Sequence, residues 1–144
     1  MLNYFAFGSN MSAQRMHKRL GWSPSRSGVI LPDYEMVFNK HSNDGGKANI
    51  MYSPGDLVEG ILYSLKEEDL LILDKYEGVA AKQYKRYVIE VRNHNKNSIA
   101  AVAYKALNTG KVYAPTEEYL SYILEGKEFL SPGYYAKLKF TKTL

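Results

Sequence analysis

Glu77 is the carboxylate least at home in its surroundings. Leu70, Leu73 and Glu77 stand three and seven residues apart, the spacing that stacks side chains along one stripe of a helix. A charged group therefore ends an otherwise apolar row. Conflicts between local pattern and fold concentrate at functional sites. Partial burial there penalises the ionised form and raises the pKa toward neutrality, which suits a general base. The plainer alternative is a glutamate beyond the helix end, facing water. A second candidate lies at Phe7-Gly8-Ser9-Asn10-Met11. Gly8 permits backbone shapes closed to other residues, so successive N–H groups can turn toward one ligand. The helix that follows adds positive partial charge. A carboxylate or an oxyanion suits such a turn, although Ser9 and Asn10 can equally act only as helix caps. The further glycines and the lysine of nucleotide-binding loops are missing.

Tyr84, Tyr113 and Tyr119 form a third set, drawn from 13 tyrosines. Their hydroxyls can hold the polar ends of an amino acid, or their rings can simply pack. Glu67, Glu68, Asp69 and Asp74 need only a solvated helix face and an acidic first turn. His17, His41 and His94 have no metal-ligand spacing, so neither metal nor cofactor is expected. With no cysteine, disulfides, thiolate zinc sites and a cysteine nucleophile are excluded together.

Strands and helices divide the chain around these candidates. Tyr4–Phe7 is a buried strand bounded by Gly8. Ser12 caps a helix running to Leu20, with Met16 and Leu20 on one face. Val29–Asn39 is a strand broken at Leu31-Pro32-Asp33. Asn43–Gly46 is a loop, Ala48–Tyr52 a strand ended by Ser53-Pro54-Gly55, and Leu57–Leu65 another strand. Lys66–Tyr76 is the strongest helix, stopped by Gly78. Tyr84–Val91 and Ile99–Ala106 are strands joined by a loop. Thr116 caps a helix to about Leu124, and Pro132 opens a last one through Leu138. The order β-α-β-β-β-α-β-β-α-α predicts a mixed sheet with helices outside it.

A chain of 144 residues, 45% hydrophobic and 24% charged, suits a single globular domain over 1–144. No apolar stretch is long enough for a membrane span, and no signal segment precedes the first strand. A cytoplasmic protein without membrane association is expected, as a monomer or a homodimer. The net charge of +4 comes from lysines and arginines spread along the chain. It lacks the dense basic face that nucleic acid requires, so no nucleic-acid partner is expected.

Taken in order, Tyr4-Phe5-Ala6-Phe7-Gly8-Ser9-Asn10-Met11 resembles the opening signature of the γ-glutamylcyclotransferase (AIG2-like) family. Leu73-Asp74-Lys75-Tyr76-Glu77-Gly78-Val79 resembles its second signature, which carries the catalytic glutamate. Ser53-Pro54-Gly55-Asp56 with Val58-Glu59-Gly60 is similar to the segment leading into that helix. Tyr84, Arg86 and Tyr119 also fall in pattern, and the likeness runs from about Asn3 to Lys139. Phe7 stands where the family usually has tyrosine. The resemblance implies a five- to six-stranded mixed β-barrel flanked by helices, with a cavity at one end. It further implies that Glu77 is the catalytic base and that Phe7, Gly8, Ser9, Asn10, Met11, Tyr84 and Tyr119 bind a small γ-glutamyl substrate, which is cyclised to 5-oxoproline. The leaving group stays open: an amino acid, or an amine such as the lysine of a protein crosslink. A binding module on the same fold is the non-catalytic alternative.

Overall fold

A computed structural model describes residues 1–144. Five strands, β1 (Leu2–Ala6), β2 (Arg26–Ser42), β3 (Gly45–Leu65), β4 (Tyr84–Arg92) and β5 (Ser98–Ala106), close into a barrel in the order β1-β3-β2-β4-β5. All ladders are antiparallel except β1 with β5, where Tyr4 pairs with Val102. Four helices lie outside: α1 (Ala13–Leu20), α2 (Glu67–Tyr76), α3 (Glu117–Leu124) and α4 (Pro132–Lys139). This is the mixed barrel with flanking helices that the resemblance implies. No helix is long and apolar enough to cross a membrane.

The middle of the chain departs from the three strands expected there. β2 and β3 form one long hairpin through a two-residue turn at Asn43-Asp44, and Gly45 takes φ 108° beyond it. Gly45 and Gly46 therefore belong to a strand. Ser53-Pro54-Gly55 does not end a strand either. Pairing runs from Tyr34↔Tyr52 to Pro32↔Leu57, so Ser53–Asp56 bulge out opposite Asp33 alone. Asp33 accepts φ 64° and its Oδ1 takes the Gly55 N–H at 3.0 Å, which fixes the bulge from both sides. A second irregularity sets Phe38 and Asn39 against Ala48, between Val37↔Asn49 and Lys40↔Lys47. Bulges of this kind leave backbone groups out of the ladder and often lie beside functional sites.

β1 shows why a continuous apolar run was needed. Its side chains alternate between two cores. Phe5, followed by Phe7, points into a cluster that draws on all five strands and on no helix, which is the barrel interior. Tyr4 and Ala6 point the other way, among Met16, Leu70, Leu73 and Ile123 of the helices. The strand is thus buried on both faces, and its end delivers the chain at Gly8 to the barrel rim. Two helix starts are capped as the sequence suggests and the last by the residue before Pro132: the hydroxyls of Ser12, Thr116 and Ser131 accept the N–H groups of Arg15, Tyr119 and Tyr134, each worth about 1 kcal/mol.

Candidate active site

The β1 end, the α2 end and the second bulge meet at one cavity of ≈ 170 Å³. Glu77 follows the last turn of α2, with its N–H bonded to Leu73 O at 2.9 Å, and Gly78 then leaves the helix at φ 65°. Leu70 and Leu73 on the same stripe are fully buried, so the stripe carries the Glu77 side chain inward rather than to water. Glu77 is the one carboxylate among the residues lining the cavity.

Opposite it, Gly8 leads into a 3-10 turn, Ser9–Met11. The Gly8 N–H bonds to no other backbone group, and those of Ser9 and Asn10 begin a turn whose first amides have no partner inside it. Glycine at position 8 answers to space: a Cβ would lie 3.1 Å from that of Ala48 and 3.5 Å from Tyr119 Oη. Asn10 ties the parts together. Its Nδ2 donates to Tyr4 Oη at 2.9 Å and reaches Glu77 Oε1 at 3.5 Å. Its Oδ1 accepts from Arg19 at 2.9 Å, and its carbonyl accepts from Tyr63 Oη at 2.6 Å.

Ala48 sorts the two site tyrosines by polarity. Freed from the ladder by the bulge, its N–H donates to Tyr119 Oη at 3.0 Å, and its C=O accepts from Tyr84 Oη at 2.9 Å. Tyr119 keeps its own proton to give, while Tyr84 has spent its proton and offers lone pairs. Burial raises the pKa of Tyr84 and of Tyr4, and pushes that of Tyr119 up to about 12. All three stay protonated at neutral pH, so none competes as a base.

Burial also lifts the Glu77 carboxyl above its ordinary range, with the guanidinium groups of Arg19 and then Arg15 pulling it back down. Because the folded-state pKa exceeds the unfolded one, folding here binds protons. Stability is therefore lost as pH rises from the unfolded value through the folded one. Glu77→Gln cannot ionise. Urea unfolding is expected to give it wild-type stability near about pH 4, where the unfolded glutamate is largely protonated, and higher stability than wild type at pH 8. No gain at pH 8 would mean that the carboxylate is well solvated.

The cavity gathers Glu77, Phe7, Gly8, Ser9, Asn10, Tyr84 and Tyr119. Met11 is a correction. It lies fully buried beneath Gly126, its N–H is taken by Gly8 O at 3.0 Å, and it does not reach the cavity. Tyr113 is a second: it lies 40% exposed outside the cavity, its ring 4.4 Å from that of His41. The acids of α2 do more than face water. Asp69 is buried and accepts from Trp22 Nε1 at 3.0 Å, while Asp74 holds Arg86 through two bonds of 2.9 and 2.8 Å and Tyr104 Oη at 2.6 Å. The residues missed from sequence are Arg15 and Arg19. Both line the cavity, and they sit one position before Met16 and Leu20, on the flank of the apolar face of α1. That i, i+4 pair beside a core stripe was the available signal.

A closed five-stranded mixed barrel flanked by four helices is the γ-glutamyl cyclotransferase fold. A solved structure described as a γ-glutamyl cyclotransferase superposes with a TM-score of 0.88 at 30% identity, over 99% of this chain and 89% of that one. YkqA from Bacillus subtilis superposes at 0.87 and 27% identity, over 99% of this chain and 56% of that one. The AIG2-like family profile matches residues 57–138. The γ-glutamylcyclotransferase of Bos taurus is 32% identical over 141 residues, 93% of this chain and 74% of its own length. The chain belongs to the γ-glutamylcyclotransferase (AIG2-like) family of enzymes.

Proposed function

We propose that this enzyme cyclises γ-glutamyl amides, releasing 5-oxoproline and a free amine, with Glu77 as the proton-transfer group. The observation that carries this reading is the pairing of a single raised-pKa carboxylate with the free amides of the Gly8 turn in one cavity. The substrate contains both reactants. Its α-amine attacks its own γ-carbonyl, a C–N bond forms in the ring, and the original amide C–N bond breaks. The enzyme's main task is to fold the glutamyl chain into that approach. Orientation of this kind can lower a barrier by up to roughly 7–11 kcal/mol in the best cases.

Glu77 takes the proton that the attacking α-amine must lose and returns one to the departing nitrogen. The N–H groups of the Gly8 turn receive the α-carboxylate or the oxyanion as charge builds on the carbonyl oxygen. Tyr84, left with lone pairs, suits the α-amine; Tyr119, left with a proton, suits an oxygen. Arg15 and Arg19 give the cavity a positive field that favours an anionic glutamyl group.

A panel of γ-glutamyl amides with free α-amines tests the reading, with 5-oxoproline and released amine both quantified. Equal amounts of the two products are expected. Ligand bound and recovered unchanged across the panel would make the domain a binding module instead.

A further inference from the structure

Glu77 stands in a neck. Lys47, Tyr76, Glu77 and Tyr84 line the inner cavity and also a second, more open hollow of ≈ 390 Å³. The outer hollow is walled by Lys40, His41, Ser42 and Asn43 at the β2–β3 turn, with Gly78 and Gln83 across from them. On the function proposed above, a γ-carbonyl held at Glu77 puts the glutamyl half inside and the leaving amine outside. The outer hollow is then the place where leaving groups are told apart.

Its charge is one-sided. Apart from Glu77 and the tyrosines Tyr76 and Tyr84, the ionisable side chains that line it are Lys40, His41 and Lys47. Lys40 is buried and already gives its ammonium to Leu107 O at 2.8 Å. Lys47 lies at the neck itself, with Nζ 4.2 Å from the centre of the Tyr119 ring and 3.2 Å from Asp44 Oδ1. The Asp44 side chain is 68% exposed in the hairpin turn. Ion pairs that exposed are worth little, so an incoming carboxylate can replace it, and Asp44 then keeps its bond from the Ser42 hydroxyl at 2.8 Å.

We infer that Lys47 is a specificity-determining residue, reading a carboxylate on the leaving amine and selecting γ-glutamyl derivatives of amino acids over those of neutral or cationic amines. A leaving group with a free acid group meets the Lys47 ammonium in the outer hollow, beside the charge of Lys40. A diamine brings a second cation to the same place and is repelled.

The test compares kcat/KM for the γ-glutamyl amides of alanine, alaninamide and 1,4-diaminobutane, which carry a negative, a neutral and a positive leaving group. The wild-type protein is expected to prefer the acid over the neutral amide by about ten-fold, the size of one partly solvated charge-assisted hydrogen bond, and to rank the diamine last. Lys47→Met should bring the acid-to-neutral ratio close to one, Lys47→Glu should invert it, and Lys47→Arg should keep it. Retention by arginine and inversion by glutamate separate charge reading from mere support of the Tyr119 ring. A Lys47→Met ratio equal to that of wild type overturns the inference, as does equal use of all three substrates by wild type, and either result leaves the cyclisation reading standing. Failure of wild type to cyclise any of the three removes both.

Discussion

Glu77→Gln is expected to lose about two to four orders of magnitude in turnover, the range of a single proton-transfer group, while folding normally. The substitution keeps the shape of the side chain and its place at the end of the Leu70–Leu73 stripe. It removes only the capacity to take a proton. No neighbour can substitute. The other ionisable groups on the cavity wall are Arg15, Arg19, Lys47 and tyrosines, and burial keeps the Tyr4, Tyr84 and Tyr119 hydroxyls protonated. Asn10 Nδ2, 3.5 Å from Oε1, can still meet the amide oxygen of glutamine. Substrate affinity should therefore change far less than kcat. Circular dichroism and urea unfolding establish that the variant is folded. A variant that is folded and retains most of its turnover would take Glu77 out of the mechanism.

A large loss of stability is expected on substituting Gly60. It is buried in β3, opposite Val29, and its missing side chain makes room for β1. A Cβ there would lie 2.4 Å from Ala6 O and 2.7 and 2.9 Å from the Phe5 ring. The nearest atom is backbone and cannot rotate away, so Gly60→Ala must push β1 off the sheet. Overpacking in a well-filled core costs about 1–3 kcal/mol, and a clash with main chain belongs at or above the top of that range. The displaced residues are the ones that lead into Gly8, so folded Gly60→Ala should also lose activity more steeply than stability. Urea unfolding and turnover measured together check both. Wild-type stability would show that β1 can move without cost. The Val58-Glu59-Gly60 likeness to the family thus has a steric reason: the third residue must have no side chain for the turn to reach the site.

Glu77 and the Gly8 turn were legible because each breaks a local pattern, one by ending an apolar stripe with a charge, the other by placing glycine at a strand-to-helix junction. The strand pattern of β1, the caps at Ser12 and Thr116 and the helix start at Pro132 were legible for the same local reasons. What stayed hidden depends on partners distant in sequence. Ser53-Pro54-Gly55 has turn chemistry whether it ends a strand or bulges from one, and only Asp33 across the ladder decides between them. The bulge at Ala48 leaves no mark in composition, yet it orients Tyr84 and Tyr119. Arg15 and Arg19 look like a solvated helix face until α1 is packed beside the end of α2, where Arg19 lies over the Tyr76 ring at 4.5 Å. Asp69 and Asp74 look like solvated acids until Trp22, Arg86 and Tyr104 fold onto them. Met11 shares the motif with Gly8 and Ser9, but helical geometry turns its side chain to the core.

The most direct measurement follows γ-glutamyl-alanine with both possible acyl products, 5-oxoproline and glutamate, resolved over time for wild type and Glu77→Gln. Cyclisation by an internal amine under Glu77 predicts that wild type forms 5-oxoproline in step with alanine and no glutamate, and that the variant forms the same products at least about a hundred-fold more slowly. Glutamate as the product, or 5-oxoproline at an undiminished rate from the variant, would contradict it.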